Sequence, residues 1–222
     1  YLESVVQALE SIPRCQSRYR LALGLHQAID LDLRYEIDEL KKDIFFLKNQ
    51  ENVFIEYLAS LLPGLKKEAA VWSEAIKNVS FKTCITDRDG TINNYCGRYR
   101  SSIQSIYNAV FISQFAKKVD NAVLVSAAPL EGIGLVDLCV MPHSLFIYAG
   151  SKGRDYMNKA GTRRQLPALM SQHVKLDELN ERLKEIVAHE EYEKYALIGS
   201  GLQRTFGQTT IARQDIFNSI PH

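Results

Sequence analysis

Thr86-Asp87-Arg88-Asp89-Gly90-Thr91 is the stretch on which the reading of this chain turns. The run over 79–86 that leads into it mixes β-branched and aromatic residues, as a buried strand does, and it ends in two aspartates separated by one residue. In an extended segment alternate side chains point the same way, so Asp87 and Asp89 would share a face. Like charges that close repel, and a bound divalent cation neutralises them. Oxygen-only ligands suit magnesium. Open α/β sheets bind ligands outside the carboxyl ends of their strands, where this pair falls. Gly90 lets the backbone turn away sharply, and Thr91 offers a hydroxyl and an amide to the same anion. The plain alternative is an Asx-rich turn after a strand, because Asp-Gly is a common turn dipeptide. D-x-D-G-T directly after a β-type run and ahead of a helix favours metal-assisted phosphoryl transfer.

Downstream, strands and helices alternate. Residues 101–118 put Ile103, Ile106, Tyr107, Val110 and Phe115 on one helical face. A second strand is expected over 122–126, a helix from Pro129 to about Asp137, and a third strand over 146–149. That order predicts a parallel sheet covered on both faces. Beyond Gly150 the pattern changes to a smaller α+β unit. Its helix covers 174–188, with Leu176, Leu179, Leu183, Ile186 and Val187 as the apolar face. Its strands cover 195–198 and 209–212, and Gly199, Gly201 and Gly207 suggest tight turns.

Upstream the pattern is helical. Leu2, Val5, Val6 and Leu9 share a face before Pro13, and a short helix is expected over about 14–25. Then Leu33, Ile37, Leu40, Ile44, Leu47, Glu51, Phe54, Leu58 and Leu61 recur by steps of four and three, a heptad seam apolar except at Glu51. One helix from an Asp30 N-cap to Pro63-Gly64 would be on the order of 45 Å long. Leu65, Ala69, Trp72 and Ile76 continue the stepping in a helix folded back on it. Such coiled-coil-like helices either bind a partner or a second copy, or only pack on themselves and brace the next domain.

Composition excludes other classes. The 222 residues carry a formal net charge of +1, with 46% apolar and 24% charged side chains. That gives no electrostatic case for nucleic acid or an anionic membrane surface. No apolar run approaches the roughly 20 residues of a membrane span. The start lacks both a signal pattern and an initiator Met. Cys15, Cys84, Cys96 and Cys139 show no zinc or disulfide spacing, so a reducing cytoplasm is the simplest fit.

Residues 86–91 match the first motif of phosphatases of the haloacid dehalogenase superfamily, and Leu124-Val125-Ser126-Ala127 matches the second. The segment Tyr148-Ala149-Gly150-Ser151-Lys152-Gly153-Arg154-Asp155 resembles the core-to-cap crossing of trehalose-6-phosphate phosphatases, which often have His where this chain has Lys152. Residues 197–203 and 206–215 look like the divergent nematode form of that family. The resemblance implies a Rossmann-like α/β core, an α+β cap and a helical N-terminal region. It assigns the nucleophile role to Asp87, which would form an aspartyl-phosphate, and the acid-base role to Asp89. Magnesium would be held by the Asp87 carboxylate and the Asp89 carbonyl, and Ser126 would hydrogen-bond the phosphoryl group. Lys152, Arg154 and Asp155 become candidates for sugar or phosphate contacts. Gln203, Arg204, Gln208 and Arg213 become candidates for the cap face that holds the sugar.

The expected organisation is a helical domain over 1–78, the first part of a phosphatase core over 79–150, and a cap over 151–222. A phosphate-binding Lys and an acidic metal-ligating pair, which the family places after the cap, are not found. The expectation is therefore an incomplete core, with its C-terminal half outside this chain.

Overall fold

The computed structural model describes residues 1–23, 27–95, 97–98, 101–192, 195, 201–212 and 215–219. Helix α1 (Leu2–Glu10) is followed by three short antiparallel strands, β1 (Arg14–Cys15), β2 (Arg18–Leu23) and β3 (Gln27–Leu31). The helix expected over 14–25 is therefore a β-hairpin. Its period is two: Tyr19 pairs with Leu31 and Leu21 with Ile29 on the buried face, while Arg20 pairs with Asp30 on the other. The Asp30 carboxylate accepts Arg20 Nε at 2.8 Å, so Asp30 is a cross-strand partner and not a helix cap. Val6, Tyr19, Ile29, Leu31, Leu33 and Ile37 form the core of this unit.

The expected long helix is two helices, α2 (Arg34–Lys48) and α3 (Glu51–Leu61). Asn49 breaks it with extended backbone, and its side-chain amide donates to Phe45 O at 2.8 Å, satisfying an end carbonyl of α2. The heptad seam does not run through: Ile37 and Phe54 are buried, whereas Leu47 is 59% exposed. Helix α4 (Leu65–Ile76) follows the Pro63-Gly64 turn but buries none of its residues, and Trp72 is exposed. It is not a helix folded back to cover the seam.

The main sheet has the order β4 (Thr83–Asp87), β5 (Asn121–Val125), β6 (Phe146–Gly150), β7 (Asp155–Met157), β8 (Arg163–Gln165). The first three are parallel, as expected, and β7 and β8 add antiparallel to the same sheet beyond Gly150. β4 is an edge strand among the described residues, and Ile85 on it is 68% exposed rather than buried. Leu124, Phe146 and Tyr148 are almost wholly buried and form the heart of the core with Leu130 and Leu135. Those two leucines come from a loop, not from the helix expected after Pro129. Gly132 at φ 74° and Ile133 at φ 62° interrupt any helical course.

Helix α5 (Ile106–Ala116) crosses between β4 and β5; Ile103 precedes it and is exposed, as is Phe115. No local side chain caps its N-terminus. The Asp43 carboxylate of α2 instead accepts the amides of Ile106 at 2.9 Å and Tyr107 at 3.2 Å. Beside it Glu39 accepts Tyr107 Oη at 3.0 Å and Asn94 Nδ2 at 2.8 Å. The helical unit is thus bonded directly to the unit built on the main sheet. Asp43→Ala is expected to cost about 1–2 kcal/mol, because two buried amides lose their acceptor; a urea midpoint unchanged from wild type would contradict this.

The remaining unit comprises helix α6 (Met170–Val187) and the hairpin β9 (Gly201–Thr205) and β10 (Gln208–Ala212), closed by Phe206-Gly207. Leu176, Leu183 and Val187 of α6 face inward, whereas Leu179 and Ile186 are exposed. The strand expected over 195–198 lies almost entirely outside the described residues. No helix among the described residues is long and apolar enough to cross a membrane.

Candidate active site

Asp87 ends β4 in register with Val125 of β5, so Ser126 stands beside it at the next strand tip. The chain then reverses over Arg88 O, which accepts the amides of Thr91, Ile92 and Asn93 at 3.3, 3.2 and 3.1 Å. Gly90 takes φ 81° and donates its amide to Asn93 O at 2.8 Å. Arg88 is wholly buried; its guanidinium contacts the Asp89 carboxylate and reaches Ser102 O and, at 3.5 Å, Leu138 O. The loop is therefore fixed from beneath by the residue between the two aspartates.

Asp87, Asp89, Tyr95, Ser126, Ala127, Ala128, Lys152, Gln203, Gln208 and Thr210 line one cleft of about 350 Å³. Core residues form one wall and the β9–β10 hairpin the other. The Asp87 carboxylate has no hydrogen-bond or ion-pair partner among the described residues. Burial pushes the Asp89 carboxyl above its ordinary pKa; Arg88 opposes this and the nearby Asp87 adds to it. The Ser126 hydroxyl accepts the Ala128 amide at 3.1 Å. Lys152 Nζ donates to Gln208 Oε1 at 2.9 Å, bridging the two walls. Lys152 is aimed there by an unusual crossing: Ser151 and Lys152 both take positive φ, 52° and 59°. Their amides donate to Ala128 O and Ser126 O at 2.6 and 2.9 Å.

On the cap side Gln203 and Thr210 are cross-strand partners, and Gln208 lies on the same face two residues along. Gln203 Nε2 is buried without a partner among the described residues, a donor left facing the cleft.

Other expected site residues lie elsewhere. Thr91 faces a separate cavity of about 700 Å³ with Tyr57, Leu58 and Leu61 of α3. That cavity is the larger one, but it lacks Asp87, Asp89 and Ser126; chemistry, not size, selects the smaller cleft. Asp155 is only 2% exposed and is clamped by Arg163, whose Nε donates at 2.8 Å, so its carboxylate is not available to a sugar hydroxyl. Arg204 points to the opposite face of its hairpin and pairs with Asp177 of α6. Alternation along β9 makes this unavoidable: neighbours Gln203 and Arg204 cannot both face the cleft. Arg154 makes a long contact of 3.4 Å with Gly207 O and does not line the cleft. Arg213 lies outside the described residues. Tyr95 and Thr210 were not anticipated; the two-residue spacing from Gln208 would have found Thr210.

The donors that could hold a metal are the Asp87 carboxylate and the Asp89 backbone carbonyl, both oxygens, which fits magnesium with water completing its shell. Among the described residues no cluster of three or more His, Cys, Asp or Glu exists.

Comparison with known proteins identifies the family. A family model for the C-terminal part of trehalose-6-phosphate phosphatase matches residues 84–222, and one for that family's N-terminal helical bundle domain matches residues 1–65. The chain is 30% identical over 207 residues to alpha,alpha-trehalose-phosphate synthase [UDP-forming] 1 of Caenorhabditis briggsae, covering 87% of this chain and 15% of that protein. It is 30% identical over 226 residues to a trehalose-phosphatase of the same organism, covering 86% of this chain and 51% of the relative. A Caenorhabditis elegans trehalose-phosphatase is 34% identical over 144 residues, covering 62% of this chain and 32% of the relative. The chain thus spans about half, or less, of the length of these relatives. With a family model matching well over half of its residues, the chain belongs to the trehalose-6-phosphate phosphatase family.

Proposed function

We propose that the full-length protein hydrolyses trehalose-6-phosphate to trehalose and inorganic phosphate, with magnesium, through a phosphorylated Asp87. The observation that carries this is the Asp87 carboxylate, without a partner among the described residues, in one cleft with Asp89, Ser126 and Lys152, facing amide-bearing Gln203 and Gln208. Magnesium bound at Asp87 and Asp89 would offset the charge of the phosphoryl oxygens. Ser126 and Lys152 hold the phosphoryl group by hydrogen bond and charge. An Asp87 carboxylate oxygen attacks phosphorus in line, and the bond from phosphorus to the sugar oxygen breaks. The proton of Asp89 passes to that departing oxygen, a role that its raised pKa favours. Asp89 then takes a proton from water as the water attacks the phosphorus of the acyl-phosphate, returning Asp87 and releasing phosphate. Gln203 and Gln208 read sugar hydroxyls from the hairpin wall and help exclude bulk water.

Phosphate release by the full-length protein from trehalose-6-phosphate, with magnesium and after chelation, is the direct test; activity undiminished by chelation would remove the metal from this account. Asp89→Asn gives a sharper one. With the sugar as leaving group, its rate is expected to fall about 10²- to 10⁴-fold. With para-nitrophenyl phosphate, whose leaving group needs no proton, the first-turnover burst of nitrophenol is expected to slow by less than about tenfold, while steady-state turnover falls because hydrolysis of the acyl-phosphate has lost its base. Equal losses in the first-turnover rates on the two substrates would place Asp89 outside acid catalysis.

A second reading comes from the relative named a synthase, 15% of whose length this chain covers. These residues would then be the phosphatase-like part of a protein that forms trehalose phosphate. Release of UDP from a UDP-sugar by the full-length protein, without phosphate release, would favour it.

A further inference from the structure

Among the described residues, the β9–β10 cap is held both at the main sheet and away from it. The outward crossing at 151–154 hangs on the ends of β5 and β6. After β10, Asp215 meets Arg98 of the loop before α5, and Phe217 and Asn218 meet Arg18 of the helical unit. The Asp215 carboxylate is buried and accepts the amides of Phe217 and Ser219 at 3.1 and 3.0 Å, the Ser219 hydroxyl, and Arg98 Nη1 at 2.6 Å. Arg98, 3% exposed, gives its other donors to α2 and the residues before it. Its Nε and Nη2 reach Glu36 at 3.1 and 2.8 Å, and Nη2 also reaches Asp32 O at 2.7 Å. Arg18 of β2 donates to Phe217 O at 2.8 Å and Asn218 O at 3.3 Å. The Phe217 ring lies under both Arg34 and Arg98, at 5.9 and 5.7 Å. Gly97, at φ 78°, passes so close that a Cβ would stand 2.7 Å from the Ile216 amide nitrogen.

Buried ion pairs are poor sources of stability, because desolvation offsets most of the attraction, but they tolerate only one geometry. Here the Arg98 guanidinium ties Asp215, at the end of the cap segment, to Glu36 of α2. We propose that Arg98 is a positioning residue for the cap: by holding Asp215 against Glu36 it sets the hairpin over the catalytic cleft, so that the helical unit governs how well the sugar is held. The helical unit gains by this a role in turnover although none of its described residues lines the cleft.

The inference rests on the cap-selected substrate proposed above. It is tested in the full-length protein with Arg98→Met and Arg18→Ala, on trehalose-6-phosphate and on para-nitrophenyl phosphate, which the hairpin need not read. The KM for the sugar phosphate is expected to rise about tenfold in Arg98→Met and about threefold in Arg18→Ala, with kcat/KM for the aryl phosphate within about twofold of wild type. Amide hydrogen exchange of β9 and β10 is expected to quicken in both variants. If Arg98→Met does not fold, Arg18→Ala, which removes only partly exposed donors, decides alone. An unchanged sugar-phosphate KM in a folded variant, or equal losses on both substrates, overturns the anchor. A wild-type protein inert to both substrates instead overturns the role of Asp87, and the exchange of β9 and β10 then judges the anchor without turnover.

Discussion

Asp87→Asn is expected to lower phosphate release by on the order of 10⁴-fold or more while the thermal midpoint stays at or slightly above that of wild type. The amide keeps the shape of the side chain but supplies neither a nucleophilic oxygen anion nor a charged metal ligand. The fold loses nothing, because the carboxylate supports no described hydrogen bond or ion pair. Repulsion from Asp89 is relieved as well, since Asp87 is one of the causes that raise the Asp89 pKa. Steady-state phosphate release and a melting curve on one preparation measure both halves. Wild-type turnover in a folded Asp87→Asn protein would falsify the nucleophile assignment.

Phe54→Ala is expected to have the largest effect on stability, about 3–5 kcal/mol. Phe54 is fully buried and meets Phe46 at 5.0 Å, Tyr107 at 5.0 Å and Phe111 at 6.3 Å between ring centroids. Those partners come from α2 and α5, so the ring is the wedge between the helical unit and the catalytic unit. Its removal leaves a cavity that three aromatic side chains cannot close without leaving their rotamers. Trp72→Ala is the control: at 68% exposed it is expected to change stability by less than about 0.5 kcal/mol. Urea denaturation of the pair measures the contrast. Similar small losses in both would mean that the aromatic cluster does not join the two units.

The placement of Asp87 and Ser126 at adjoining strand tips was legible because the pattern is local. An acid pair before Gly90, and a serine after a run of buried aliphatic residues, keep their meaning wherever the rest of the chain goes. The β-hairpin at 14–31 was legible in principle, since Tyr19, Leu21, Ile29 and Leu31 alternate, but its polar positions also fit a helical wheel. The break at Asn49 was hidden because apolar residues keep step across it and neither Gly nor Pro marks it. Thr91 and Asp155 failed for a different reason. The side of a loop that a side chain faces, and whether an Arg163 waits for it, are settled by tertiary packing and leave no trace in spacing. Arg204 was decidable from strand alternation alone, once 201–205 was known to be extended.

The paired left-handed residues Ser151 and Lys152 have an energetic corollary. Each holds a backbone conformation that costs a side-chain-bearing residue roughly 1 kcal/mol or more, and that glycine would adopt freely. Glycine at 152 would relax the chain and remove the ammonium group from the cleft in one step. The ammonium group is thus carried into the cleft at a conformational cost, and Lys152→Gly would be expected to ease the backbone while removing that charge.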